Sequence, residues 1–292
     1  MIGMQTPKYN FDEGLGTVYE RFMLNDFFDD LFKEHSIGSV IEVPIYGMSG
    51  LTGINSIHLS RKGCRVSLLG DEDHIREARD LWQILGESGE FFQLNGSSSL
   101  PFTDRSFDLA WNFAAIWHHS NPGQLLKEMA RVSDRFVLIF VPNKLQLGYF
   151  TRKYLFDKDF FNRVKEEWVD AGRIRAVLEG QGLRLLKQGA LDIPPWPDTC
   201  VPIKDILRST LDALRSAFNI SRTSNGERRT ADVNRQPSNG ERRWVWDIMS
   251  YYKGENLELK DRIERLTFIE RSPLPWRMKL VWAHHRYLLF GR

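Results

Sequence analysis

The sequence predicts an α/β protein built around a doubly wound, mostly parallel sheet. Three observations carry this reading. Strand-like and helix-like segments alternate in short steps from residue 39 to residue 143, the pattern that places helices on both faces of a parallel sheet. A cluster of glycines, Gly47, Gly50 and Gly53, follows the first strand directly. Beyond residue 150 the alternation gives way to longer helical and proline-rich stretches, so the alternating block carries an addition. Right-handed crossovers with short connections would put a ligand crevice at the carboxyl ends of the strands, where the glycines lie.

The elements follow in order. Residues 18–35, VYERFMLNDFFDDLFKEH, set Phe22, Phe27 or Phe28, Leu31 and Phe32 near one helical face. Val40-Ile41-Glu42-Val43 is a short strand ending at Pro44, and INSIHLSRKG reads as a helix closed by Gly63. CRVSLLG is the second strand, EDHIREARDLWQIL the second helix of the block, and EFFQLN the third strand. SFDLAWNFA and RFVLIFVPN are the fourth and fifth strands, with the helix PGQLLKEMARVS between them. DFFNRVKEEWVDAGRIRAVLEGQG reads as helix and LRLLKQGALDI as another strand. PPWPDTCVP is a rigid break, and IKDILRSTLDALRSAFNI is amphipathic. Residues 221–243 repeat Ser-Asn-Gly-Glu-Arg-Arg and hold no aromatic, so their composition predicts a mobile loop. The chain closes with a short helix and a strand at Tyr287–Phe290.

Composition narrows the function classes. At 292 residues, 42% apolar and 27% charged, the chain suits one large domain with an insertion. Forty basic against 38 acidic residues give a net charge of +2, which offers no footprint for nucleic acid. Cys64 and Cys200 are too few for a disulfide framework, and no Cys/His spacing suggests a metal. The N-terminus lacks a signal-peptide pattern, and no apolar run approaches the ~18 residues of a membrane span. A cytoplasmic protein without a metal is the expectation.

A glycine-rich turn after a first strand serves close approach by a nucleotide-like ligand. The spacing GMSGLTG fits the dinucleotide pattern Gly-x-Gly-x-x-Gly poorly. SVIEV, GCRVSLLGDEDHIREAR, SSSLPFTDRSFDLAWNFAAIWHH and LLKEMARVSDRFVLIFVPN together resemble, in order, the core of the class I S-adenosylmethionine-dependent methyltransferases, especially the methyltransferase 11 type. The resemblance spans residues 39–143. It implies a Rossmann-like fold whose sixth and seventh strands form an antiparallel edge pair, with residues 192–275 as an insertion that sets acceptor specificity. The implied division is an N-terminal helical segment 1–38, a core of 39–191 with 276–292, and the insertion with its loop 221–243.

S-adenosylmethionine is the implied cofactor. The implied binding residues are Glu42, Gly47, Gly50, Gly53, Asp71, Asn95, Ser97, Asn112 and Phe113. Asp71 substitutes for the ribose-binding acid, because Gly70 stands at the usual position, and Asn95 with Ser97 would meet the adenine edge. The end of the fourth strand, Trp111 to Phe113, would face the crevice, where aromatic faces suit a sulfonium. His118 and His119 are candidate general bases, and His284 with His285 carry the same choice between chemistry and packing. Each residue also has a plain role open to it: Glu42 and Asp71 as caps, Asn95 and Ser97 as turn formers, the histidines as packing. The acceptor is expected to be a small molecule, carbohydrate- and lipid-linked ones included. Aromatics beside cations, among them Trp276, Trp282, Arg277 and Lys279, suit peripheral contact with a membrane. Two other readings remain: a methyltransferase-like binding or scaffold protein without activity, supported by the displaced glycines, and a nucleotide-dependent oxidoreductase.

Overall fold

The computed structural model describes residues 14–46, 51–94, 99–156, 158–195, 248–255 and 257–292. The strands expected from the alternating block are all present: β1 (Ser39–Glu42), β2 (Arg65–Gly70), β3 (Glu90–Gln93), β4 (Phe107–Phe113) and β5 (Ser133–Pro142). With β6 (Arg184–Leu191) and β7 (His285–Gly291) they form one sheet in the order β3-β2-β1-β4-β5-β7-β6 among the described residues. β1 to β5 pair in parallel, and β7 runs antiparallel to both β5 and β6. The chain order reverses at β1, the switch point at which doubly wound sheets open a crevice.

Strand alternation builds two cores. Leu109, Trp111 and Phe113 of β4, with Phe136, Leu138 and Phe140 of β5, face one side. Ala110, Val137, Ile139 and Val141 face the other, as the two-residue period of a strand requires. The first face is covered by α1 (Gly14–Glu34), α2 (Ile57–Arg61) and α3 (Glu72–Ile84). The second is covered by α4 (Pro122–Val132) and α7 (Ala171–Glu179), through Leu125, Leu126, Met129, Ile174 and Leu178.

The stretch 159–182 departs from the single helix its composition suggests. It divides into α6 (Lys158–Arg163), a 3₁₀ turn at Glu166–Val169, and α7, with α5 (Leu147–Thr151) upstream. Asp170 sets the start of α7: its carboxylate accepts the Arg173 N–H at 2.8 Å, and an N-cap residue takes non-helical backbone angles. Of the expected insertion, α8 (Ile248–Lys253) and α9 (Leu257–Leu266) pack on α1; α10 (Trp276–Lys279), in the expected core, leads into β7. The amphipathic stretch 203–220 and the loop 221–243 lie outside the described residues. No described helix is long and apolar enough to cross a membrane.

Candidate active site

β1 ends where Asn112 takes hold of it. The Asn112 amide nitrogen donates to the carbonyls of Val43 and Pro44, at 3.0 and 3.1 Å. Its oxygen accepts the N–H groups of Ala115 and Ile116 at 3.0 and 2.9 Å. An amide side chain has two donor hydrogens and two acceptor lone pairs, and all four are used on backbone. Asn112 therefore couples the exits of β1 and β4. Phe113 is 3% exposed, packed among Phe140, His285 and the Arg21 guanidinium. Trp111 turns toward α1 and meets the Phe28 ring at 4.8 Å.

Past Pro44 the chain crosses the end of β2. The Ile45 N–H donates to the Leu69 carbonyl at 2.7 Å, and a Cβ on residue 70 would lie 2.6 Å from Ile45 Cγ1. That approach requires glycine at 70, which explains why the acidic residue is displaced to 71. Asp71 caps α3: Oδ1 accepts the His74 N–H at 2.9 Å, and Oδ2 lies 2.7 Å from His74 Nδ1. Its side chain stays 62% exposed, so further lone pairs face outward. Tyr46 stacks on His118 with ring centroids 4.1 Å apart, and His74 lies 5.2 Å away on the same tyrosine.

These residues wall a cleft of about 260 Å³ with Leu94, His119 and Ser120. It lies at the carboxyl ends of β1 and β2, where the topology calls for it. A larger cavity of about 960 Å³ lies between α1, α8, α9 and the last turns of α2 and α3. Those turns lead into the amino ends of β2 and β3, so the smaller cleft is the one at the chemically expected edge.

Burial separates the two histidines. His118 has its pKa lowered to about 4, first by burial and then by Arg152 and His74, so the ring is neutral at pH 7. Its Nε2 is buried with no hydrogen-bond partner among the described residues. His119 Nδ1 accepts the Asn121 N–H at 3.0 Å, which leaves the ring proton on Nε2 and makes that atom a donor.

Glu42 is 1% exposed. It accepts from Asn55 Nδ2 at 3.0 Å and from Ser56 Oγ at 2.6 Å, and burial raises its pKa. Gly53 has φ +78°, and a Cβ there would lie 2.6 Å from the Ala78 Cβ; this glycine seats the loop on α3. Gly47, Gly50, Asn95 and Ser97 lie outside the described residues. Tyr46, His74, Asn55 and Ser56 join the site without having been singled out in the sequence. The signal for the last two was their place right after the glycines, at the start of a helix.

Residues 49–135 match the family described as methyltransferase domain, of the methyltransferase 11 type. With the sheet order above, the match places a methyltransferase-type domain on the doubly wound sheet that the sequence predicts. No curated protein matches the sequence. Among solved structures, it is similar to the 4+2 cyclase SpnF at 12% identity, over 92% of this chain and 80% of that one, with a TM-score of 0.48. It is similar to magnesium protoporphyrin IX methyltransferase from Synechocystis PCC 6803 with bound SAH at 16%, over 65% and 83%, TM-score 0.47. A SAM-dependent methyltransferase from Aquifex aeolicus is 19% identical over 59% and 87%, TM-score 0.44.

Proposed function

We propose that the chain transfers the methyl group of S-adenosylmethionine to a small organic acceptor bound beside the β1–β2 cleft. One observation carries the reading: an outward-facing carboxylate, Asp71, beside aromatic and imidazole faces at the carboxyl ends of β1 and β2. These groups fit a nucleoside. A carboxylate accepts from two vicinal hydroxyls, and Tyr46 with Leu94 offers flat apolar surface to a base.

S-adenosylmethionine supplies a methyl group already activated on a sulfonium, so the protein's share is alignment and the acceptor's proton. His118 stacks on Tyr46, and the paired rings form part of the cleft wall. Burial keeps that ring uncharged at neutral pH, and the proton released by the acceptor goes to water. His119, a donor at Nε2, holds the turn that carries His118. Glu42, joined to Asn55 and Ser56, ties the turn after Gly53 to the end of β1.

Exposed Leu274, Met278, Val281 and Trp282, next to Arg277, favour an acceptor with a lipid portion over a purely polar one. Co-sedimentation with anionic vesicles separates the two: no binding at low salt leaves a soluble acceptor. Isothermal titration with S-adenosylmethionine, S-adenosylhomocysteine and NAD tests the central reading. Heat from the first two and none from NAD is expected. Heat from none of them would leave a binding or scaffold protein.

A further inference from the structure

A second cluster lies where α1, the exit of β6 and the start of β7 converge. Glu20, Asp192 and His285 each bring one ligand-type atom to within 4.8 Å of the others. Asp192 is 1% exposed and His285 6%. The surroundings hold them in place. Glu270 accepts the N–H groups of Asp192 and Ile193 at 2.9 and 2.8 Å. Asp192 Oδ2 lies 2.6 Å from His284 Nδ1, and Arg21 pairs with Glu20 Oε1.

What these partners leave over is informative. Asp192 Oδ1 is buried with no hydrogen-bond partner among the described residues, although a buried polar atom without one costs about 1–3 kcal/mol. The contact between His285 Nε2 and Glu20 Oε2 is 3.4 Å, longer than the usual ~2.7–3.2 Å N–H···O hydrogen bond. It is the spacing of two donors on one ion: ligands at ~2.0–2.1 Å in tetrahedral array stand roughly 3.3–3.4 Å apart.

We propose that Glu20, Asp192 and His285 bind a divalent first-row transition ion, with zinc as the type case. One imidazole and two carboxylates are nitrogen and oxygen donors suited to zinc and its neighbours rather than to thiolate-seeking ions. The hydrogen bonds from Arg21 to Glu20 and between His284 and Asp192 orient the ligands, as outer partners do in metal sites. Three protein donors leave a fourth position open, the arrangement of reactive rather than structural zinc. The His285 ring lies 4.7 Å from Phe113 at the end of β4, so the ion would sit on the crevice edge of the sheet. The site does not rest on the methyl-transfer reading.

The test reads metal rather than turnover. Full-length protein is stripped with a chelator and dialysed against Zn²⁺, and bound zinc is counted by mass spectrometry. One ion per chain is expected, with affinity lowered at least ~100-fold by Asp192→Asn and by His285→Ala, while both variants still bind S-adenosylhomocysteine. Substoichiometric zinc, or affinity untouched by both changes, overturns the proposal. Should the variants not fold, X-ray absorption at the zinc edge of the wild-type protein decides. A shell of nitrogen and oxygen with an imidazole signature supports the site, and sulfur in the shell would place the ion on a cysteine and sink it.

Discussion

The two sides of the crevice handle buried polar groups in opposite ways. On the β1–β4 side, Asn112 uses every hydrogen-bonding position on backbone, and both oxygens of Glu42 are taken by Asn55 and Ser56. Each of those bonds joins residues at most 69 positions apart in the chain. On the α1–β6–β7 side, Asp192 keeps a buried oxygen unpaired among the described residues, and Glu20 and His285, which approach one another, are 265 positions apart. The first side is closed upon itself and holds the shape of the cleft. The second is held in place from behind and open at its centre, which is the condition of a site awaiting a ligand.

The contrast is broken most severely at Asn112. Asn112→Ala strands two carbonyls and two N–H groups at the strand exits. At about 1 kcal/mol for each bond, urea unfolding should show a loss of about 4 kcal/mol. A loss under about 1 kcal/mol would mean that these bonds are not what holds the exits together.

A smaller effect tests His118. The unfolded imidazole takes a proton near 6.5 and the folded one not until about 4. Between those values the unfolded chain binds more protons, so stability is level above about 6.5 and falls as the pH is lowered toward 4. For this half-buried ring we expect the loss to be about 2 kcal/mol. His118→Asn should remove that part of the acid slope. An unchanged slope in the variant would show that the ring titrates normally.

The smallest effect sharpens the cleft itself. Asp71→Ala should weaken S-adenosylhomocysteine binding by about tenfold, ~1.4 kcal/mol, and cost about 1 kcal/mol of stability through the lost cap. Loss of stability with unchanged affinity would leave Asp71 as a cap alone.

Much of the fold was legible because its signals are local. Strand and helix periods, Gly63 after α2 and Asp71 before α3 each act within a few residues, and the sheet followed from their alternation. Asp170 inside an apparently helical stretch was a local signal of a different kind, an N-cap that sets the start of α7. The cleft was half legible. Asp71 and His118 could be named from the fragments that carry the family resemblance, but the reason for Gly70 could not. It depends on Ile45 crossing the end of β2, and a sequence does not state which residue crosses which strand.

What the sequence determined by itself is the order and type of the core elements, since backbone propensity and turn chemistry are short-range; the expected cofactor came with the family resemblance. Only the tertiary structure decided which polar groups are spent and which are left over. Glu20, Asp192 and His285 have no motif spacing at all and meet because β7 returns between β5 and β6 while α1 lies across that face. Burial and pairing are properties of the folded neighbourhood, and no window along the chain contains them.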